Sequence, residues 1–248
     1  MIQSIVKASN ILEYMKTVRK ECTIAELSEA MNIPPSTTHR ILNTLIACSF
    51  VSKDERTHLY KLGSGLISLG MMAITNINLQ EEAMIVLREL SKATKEDSFL
   101  VIKSSNNGVV VGKSEGTHTL KIVEHFGREI PLHKGAIRKI LLANQDSEFI
   151  KQYLSQELEP YIDGTNPKSV LEEQLKQIKK NNIAISHCEY IKDATGIGSG
   201  VFNYKNEIVA SIGIVLPIER SNENLDFYVD NVKKSALKLS EKLGYFNE

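Results

Sequence analysis

The chain has 248 residues, 42% of them apolar and 24% charged, which supplies one large core or two small ones and excludes a disordered chain. Lys+Arg and Asp+Glu each number 30, so no overall basic field announces a nucleic-acid binder, and any such affinity has to come from a local patch and from dimerisation. No apolar run approaches the ~20 residues of a membrane span, the first residues lack the layout of an export signal, and the three scattered cysteines (Cys22, Cys48, Cys188) contain no Cys-x-x-Cys. A reducing cytoplasm without a disulfide framework or zinc is expected.

Ile5, Ala8, Ile11, Leu12 and Met15 fall at steps of three and four, which predicts a helix from Ser4 to about Lys20 with one buried stripe. Thr23, with Glu26 three residues on, has capping-box spacing and opens a second helix. Its inner face is Ile24, Leu27, Ala30 and Met31, and it stops at Asn32, a residue that tolerates the left-handed turn. In Pro34-Pro35 the first proline is pushed out of helical geometry and the second suits the first position of a third helix, running to about Cys48. That helix buries Thr38, Ile41, Leu42, Leu45 and Ile46 and turns Ser36, Thr37, His39, Arg40 and Asn43 outward. Two short helices around a tight turn form a helix-turn-helix. Phe50–Lys53 and Leu59–Leu62, separated by Asp54–His58, predict a hairpin, the wing of a winged helix.

After Gly63 and Gly65, the apolar residues Leu66, Ile67, Leu69, Met71 and Ile74 predict a linker helix that serves either core packing or a dimer interface. A helix at Gln80–Thr94 begins a second domain. Strands are predicted at Ser98–Lys103 and Val109–Lys113 about a hairpin turn, with a short one near Leu120–Val123. Helices follow at about Gly135–Ala143, Ser147–Ser155 and Ser169–Lys180. Three late strands, Ala184–His187, Gly198–Asn203 and Ile208–Val215, precede a terminal helix from Leu225 to about Leu243. Hairpins outnumber strand–helix–strand crossovers, so the fold class is α+β with an antiparallel sheet. The expected division is a winged helix over 1–63, a linker helix over 64–78 and a second domain over 79–248.

The exposed face of the third helix is where base or phosphate contacts are expected. Arg40 can donate two hydrogen bonds to a guanine edge or clamp a phosphate. Ser36 and Thr37 either bind phosphate or cap the helix, His39 and Asn43 extend the face, and Arg56 and His58 reach from the wing. Lys53 and Lys61 serve equally as solvated surface. In the second domain, Lys134, Gly135, Ala136 and Ile137 open a helix whose free N–H groups would welcome an anion. Glu189 could accept a ligand hydroxyl or amine, or lock the loop before Gly196. His118, His125 and His133 are spaced poorly for a metal. The adjacent His187-Cys188 does not make a nucleophilic couple on a strand, and the glycines of 196–200 do not form a phosphate loop. No catalytic set, cofactor motif or metal site is expected.

The segment Ile33-Pro34-Pro35-Ser36-Thr37-Thr38-His39-Arg40-Ile41-Leu42-Asn43-Thr44-Leu45 resembles the recognition-helix signature of the IclR family of bacterial transcriptional regulators. Tyr60–Gly63 resembles that family's wing. Pro131–Ala143 resembles its loop-into-helix segment, and Glu189, Gly196–Phe202 and Ile208–Ile214 resemble its late strand pair. The likeness covers nearly the whole chain in order. It implies a winged helix-turn-helix, a linker helix and a GAF-like effector-binding domain, in a homodimer or dimer of dimers that reads a palindromic operator. It also implies response to a small-molecule effector such as a carboxylate, with repression as the expected sense. By position in the likeness, Thr119, Ile122, Gly196, Gly213 and Val215 join Lys134, Gly135, Ala136, Ile137 and Glu189 as expected effector contacts. Lys134, Arg138, Gly196, Gly213 and Val215 depart from the family pattern, so its ligand chemistry is not carried over. Two rivals remain open: an enzyme with an appended winged helix, and a ligand-binding module whose winged helix contacts protein.

Overall fold

Helix α1 (Gln3–Thr17) buries Ile11 and Met15, with Ala8 and Leu12 packed at the edge of the same cluster. Ile5, expected in that stripe, is 64% exposed, because the first turn runs past the edge of the cluster. The computed structural model describes residues 1–19, 21–75, 78–122 and 127–246, the side chains of 73–75 excepted. It divides into two compact units near residue 77.

In the first unit, α2 (Ile24–Met31) starts with the expected capping box: Glu26 N–H donates to the Thr23 hydroxyl, and the Glu26 carboxylate accepts from Thr23 N–H. It ends at Asn32 in the left-handed region, φ 50°. Leu27 is buried between Ile24 and Met31, while Ala30, expected inside, faces solvent because the stripe leans toward the Met31 side. Helix α3 (Pro35–Ala47) begins on Pro35 and buries Thr38, Leu42 and Leu45. Strands β1 (Val51–Lys53) and β2 (Tyr60–Leu62) pair antiparallel, and Tyr60 also bridges back to Cys22, which ties the hairpin to the start of α2. Helix α4 (Gly65–Thr75) then leaves Ile67, Leu69, Met71 and Met72 between 51% and 67% exposed.

The second unit is a six-stranded antiparallel sheet, ordered β5-β4-β3-β8-β7-β6. Its strands are β3 (Ser98–Ser104), β4 (Asn107–Ser114), β5 (Glu129–Pro131), β6 (Ala184–His187), β7 (Ala194–Phe202) and β8 (Ile208–Pro217). Helices α5 (Leu79–Thr94) and α10 (Leu225–Lys242) pack together and against β3, β4, β7 and β8. Helix α6 (Ala136–Ala143) packs on β7, β8 and β6 with a separate core of Phe99, Val101, Val110, Ile137, Ile140 and Val215. Outside α6 lie α7 (Ser147–Ser155) and α8 (Leu171–Asn181), and α9 (Ile218–Glu223) follows β8.

Other expectations change. Residues Leu120–Ile122 form no strand, and Val123 lies outside the described residues; Ile122 packs on the core from a loop. Strand β5 and helix α9, neither expected, are three and six residues long, too short to repeat a pattern. The helix expected from Ser169 starts at Leu171, after a 3₁₀ turn over Pro167–Ser169. Strand β7 begins at Ala194, four residues early, since Ala194–Val201 is buried on both faces and shows no alternation.

Glycines on β7 and β8 let α6 sit directly on the sheet. A Cβ on Gly198 would lie 2.6 Å from Ile137 Cα, and one on Gly213 would lie 2.7 Å from Ile137 Cγ1. The Ser211 hydroxyl donates to the Ile137 carbonyl at 2.7 Å, fixing the helix start in register with β8.

Candidate functional site

Two places gather the residues singled out by sequence, one in each unit. In the first, Thr37 and Thr38 N–H donate to the Pro34 carbonyl at 2.9 and 3.0 Å, closing the first turn of α3. Thr38 is thereby buried, Ser36, His39, Arg40 and Asn43 are exposed, and Thr37 is half-buried. Asn43 Nδ2 lies 3.5 Å from His39 Nδ1, one turn away. A groove of about 310 Å³ is lined by Ser4 and Lys7 of α1 and by Thr37, Arg40, Ile41 and Thr44 of α3. No acidic residue lines it, so its field is set by two cations. Lys7 was not anticipated; its signal is the i,i+3 spacing with Ser4 on a helix that packs beside α3.

At the wing tip, Asp54 Oδ1 accepts from Thr57 N–H at 2.9 Å and Arg56 N–H at 2.8 Å. These bonds hold its carboxyl below the usual aspartate range. They shape the turn that exposes Arg56 and His58, the latter at φ 57°. Lys53 is engaged with Glu55 at 3.5 Å, and Lys61 is exposed.

In the second unit, the start of α6 meets β6, β7 and the turn joining them. Gly135, with φ 81°, is the N-cap, a conformation that favours glycine. The first orphan N–H groups of the helix find protein acceptors: Gly135 N–H donates to Glu189 Oε2 at 3.3 Å and Ala136 N–H to the Ser186 hydroxyl at 2.9 Å. The anion position expected at this helix start is therefore held by the chain's own carboxylate. Lys139 Nζ donates to Glu189 Oε1 at 2.6 Å and to Gln174 Oε1 at 2.9 Å. Burial pushes the Glu189 carboxyl up and the Lys139 ammonium down, and each partner's charge opposes the shift.

Gly135, Ala136, Ser186 and Glu189 border a narrow cavity of about 30 Å³, with Lys139 bonded to Glu189 but off the cavity wall. Six expected residues line it: Gly135, Ala136, Ile137, Glu189, Gly196 and Val215. Arg138, Ser186, Tyr190, Ile191 and Ala194 also line it, although sequence did not assign them there. The Arg138 guanidinium lies over the Tyr190 ring, 5.2 Å from its centroid. Thr119, Ile122, Lys134 and Gly213 are not on the wall. Thr119 is an exposed loop residue, Lys134 pairs with Glu159 at 2.5 Å, and Gly213 lies beneath Ile137.

His133 packs behind this wall as a structural residue. Its Nε2 donates to the Glu159 carbonyl at 3.1 Å, leaving Nδ1 to accept from the Tyr153 hydroxyl at 2.9 Å. Burial holds the imidazole below its usual range and pushes the Tyr153 hydroxyl up to about 12. His118 stands 3.7 Å from Glu96, away from His133's partners, and His125 lies outside the described residues. Among the described residues no three His, Cys, Asp or Glu side chains group as metal ligands, and no helix is long and apolar enough to cross a membrane.

Residues 4–55 match the family model described as the IclR helix-turn-helix domain, and residues 71–241 match that of the bacterial transcriptional regulator IclR C-terminal region. The HTH-type transcriptional regulator KdgR of Escherichia coli (strain K12) is 30% identical over 250 residues, covering 98% of this chain and 94% of that protein. The structure of Pseudomonas aeruginosa HmgR superposes with a TM-score of 0.85 at 20% identity, covering all of both chains. An IclR homologue from Microbacterium hydrocarbonoxydans, solved in complex with 4-hydroxybenzoate, superposes with a TM-score of 0.61 at 18% identity, over 97% of this chain and 98% of that one. The chain belongs to the IclR family of bacterial transcriptional regulators, with the family's helix-turn-helix followed by its effector-binding domain.

Proposed function

We propose that this regulator grips duplex DNA with the exposed face of α3 and holds a small acid in the cavity at the start of α6. In the first unit, Arg40 and Asn43 face base edges, Ser36, Thr37 and Lys7 face phosphates, and Arg56 and His58 reach the flanking backbone. The acid-free groove containing Lys7 and Arg40 supports this assignment. The exposed apolar side chains of α4, Ile67, Leu69, Met71 and Met72, support a homodimer closed through this helix. A two-fold dimer calls for a palindromic operator, with half-sites about one helical turn or a multiple apart. Pairing of such dimers would give the tetramer, and the setting is the cytoplasm.

One observation carries the effector reading. Gly135, Ala136, Ser186 and Glu189 meet at the only helix start in the second unit where glycine, a buried carboxylate and a buried lysine converge among the described residues. The preference for an acid follows from that lysine and from the helix start. The Microbacterium protein in complex with 4-hydroxybenzoate is an IclR homologue of this fold with an aromatic acid bound. We read the cavity as a binding site and not as a catalytic centre, because Glu189 and Lys139 are committed to each other and His133 is engaged at both ring nitrogens.

The test is a thermal-shift screen of small carboxylates, sugar acids and aromatic acids on the full chain, followed by DNA binding with each hit. A ligand of the native state raises Tm by mass action, and a true effector also changes operator affinity. Acids that raise Tm without altering DNA binding, or a panel with no hit, would count against this reading.

A further inference from the structure

We propose that Glu189 is a built-in stand-in for the effector's acid group, and that the effector enters by exchanging its own carboxylate for that of Glu189 on Lys139 and the Gly135 N–H. This inference rests on the effector cavity proposed above and deepens it. The cavity, about 30 Å³, has room for about one water molecule. Any larger ligand therefore needs a wall to move.

The movable wall is the turn between β6 and β7, which carries Glu189, Tyr190 and Ile191. Its two ends, Cys188 and Asp193, both sit in the left-handed region at φ 54° and 56°. Such residues hold their conformation only while surrounding contacts impose it, and a few residues at loop ends can absorb a hinge motion. The latch on this turn is the Glu189 carboxylate. Lys139, on the opposite side, stays where it is: it is 1% exposed on a helix buried along its whole length, and Gln174 holds it independently.

Charge decides what can open the latch. With Glu189 withdrawn and nothing in its place, Lys139 would be an uncompensated charge in the interior, a strongly unfavourable state. A neutral ligand therefore does not displace Glu189. A carboxylate does, because it restores one negative charge and the same acceptor oxygens, while the expelled Glu189 carboxylate is solvated by water. The Tyr161 hydroxyl is buried and lacks a hydrogen-bond partner among the described residues, and its ring centroid is 5.9 Å from Lys139 Nζ. A buried hydroxyl left without a partner is a donor still to be satisfied near this lysine.

The test is chemical rescue in the full-length chain with acetate as probe, acetamide as its neutral counterpart and chloride as the ionic-strength control. Glu189→Ala should lower Tm, and acetate should restore it in a concentration-dependent way that acetamide and chloride do not match. The gain should vanish in the Glu189→Ala/Lys139→Met double variant. If Glu189→Ala folds too poorly, Glu189→Gln preserves the shape of the site and should bind acetate severalfold more tightly than the unmodified chain. As a second readout in a Cys48→Ser background, an acid that binds the unmodified cavity should speed thiol labelling of half-buried Cys188 severalfold. An equal response to acetate and acetamide, an acetate response that survives loss of Lys139, or Cys188 labelling unchanged by a bound acid overturns the exchange. None of these results touches the effector reading itself, which fails separately if the unmodified chain binds no acid.

Discussion

The Lys139 ammonium lies 2.6 Å from Glu189 Oε1, with the two residues 1% and 8% exposed. Fifty positions apart in sequence, they join the middle of α6 to the turn before β7. A pair this dry is weak evidence for net stability but strong evidence for mutual dependence, since removing one partner strands the other. Lys139→Met should therefore cost roughly 3–5 kcal/mol. Lys139→Met combined with Glu189→Leu should recover much of that loss. Urea unfolding of the single and double variants checks this; additive losses would show that the two groups do not depend on each other.

Acid sensitivity follows from His133. Burial keeps its folded-state pKa below the usual 6.5, so between the two values the unfolded chain binds the additional proton. Stability from this group is full above about pH 6.5 and is lost as pH falls toward the depressed value. Chemical denaturation at pH 7.5 and 5.5 should show this fall in the unmodified chain and a smaller one in His133→Gln.

Gly198 tests the seat of α6. A Cβ there would lie 2.6 Å from Ile137 Cα and 2.9 Å from Ile137 N, both backbone atoms that cannot rotate away. Gly198→Ala should therefore lift the helix start, costing about 1–3 kcal/mol as overpacking does, and should weaken any acid bound at Gly135. Thermal unfolding and ligand titration on one preparation would show both losses together.

In the first unit, Thr23→Ala removes a reciprocal cap on α2 and should cost about 1 kcal/mol. Thr23→Ser should cost little. Equal losses from both substitutions, measured by thermal unfolding, would show that the hydroxyl is not what matters.

Local chemistry made much of the fold legible in the sequence. Thr23 with Glu26, Asn32 after α2 and Pro35 opening α3 act within four residues of themselves, and each does what its chemistry dictates. The hairpins and the stripe of α10 follow from simple periods. Strand β5 is three residues long and has no period to read. Ala194–Val201 is buried on both faces, which removes the alternation that marks a strand. Part of the cavity wall was visible because Gly135 and Ala136 open a helix, whereas Gly196 and Val215 were reached only by position in the family resemblance. Lys139 was hidden, because a lysine inside an apolar run ordinarily marks a solvated flank, and its partners Glu189 and Gln174 come from distant elements. Lys7 beside Arg40 was hidden for the same reason: their proximity is set by how α1 packs on α3.

The most direct measurement is fluorescence anisotropy of a duplex from the chain's own promoter region, titrated across a salt series with the unmodified protein and with Arg40→Ala. The account predicts binding that weakens steeply with salt. It further predicts a loss of about fivefold to a hundredfold for Arg40→Ala, corresponding to roughly 1–3 kcal/mol for one base contact, with unchanged thermal stability. Equal affinity for both proteins, or no binding by the unmodified chain at any salt concentration, contradicts it.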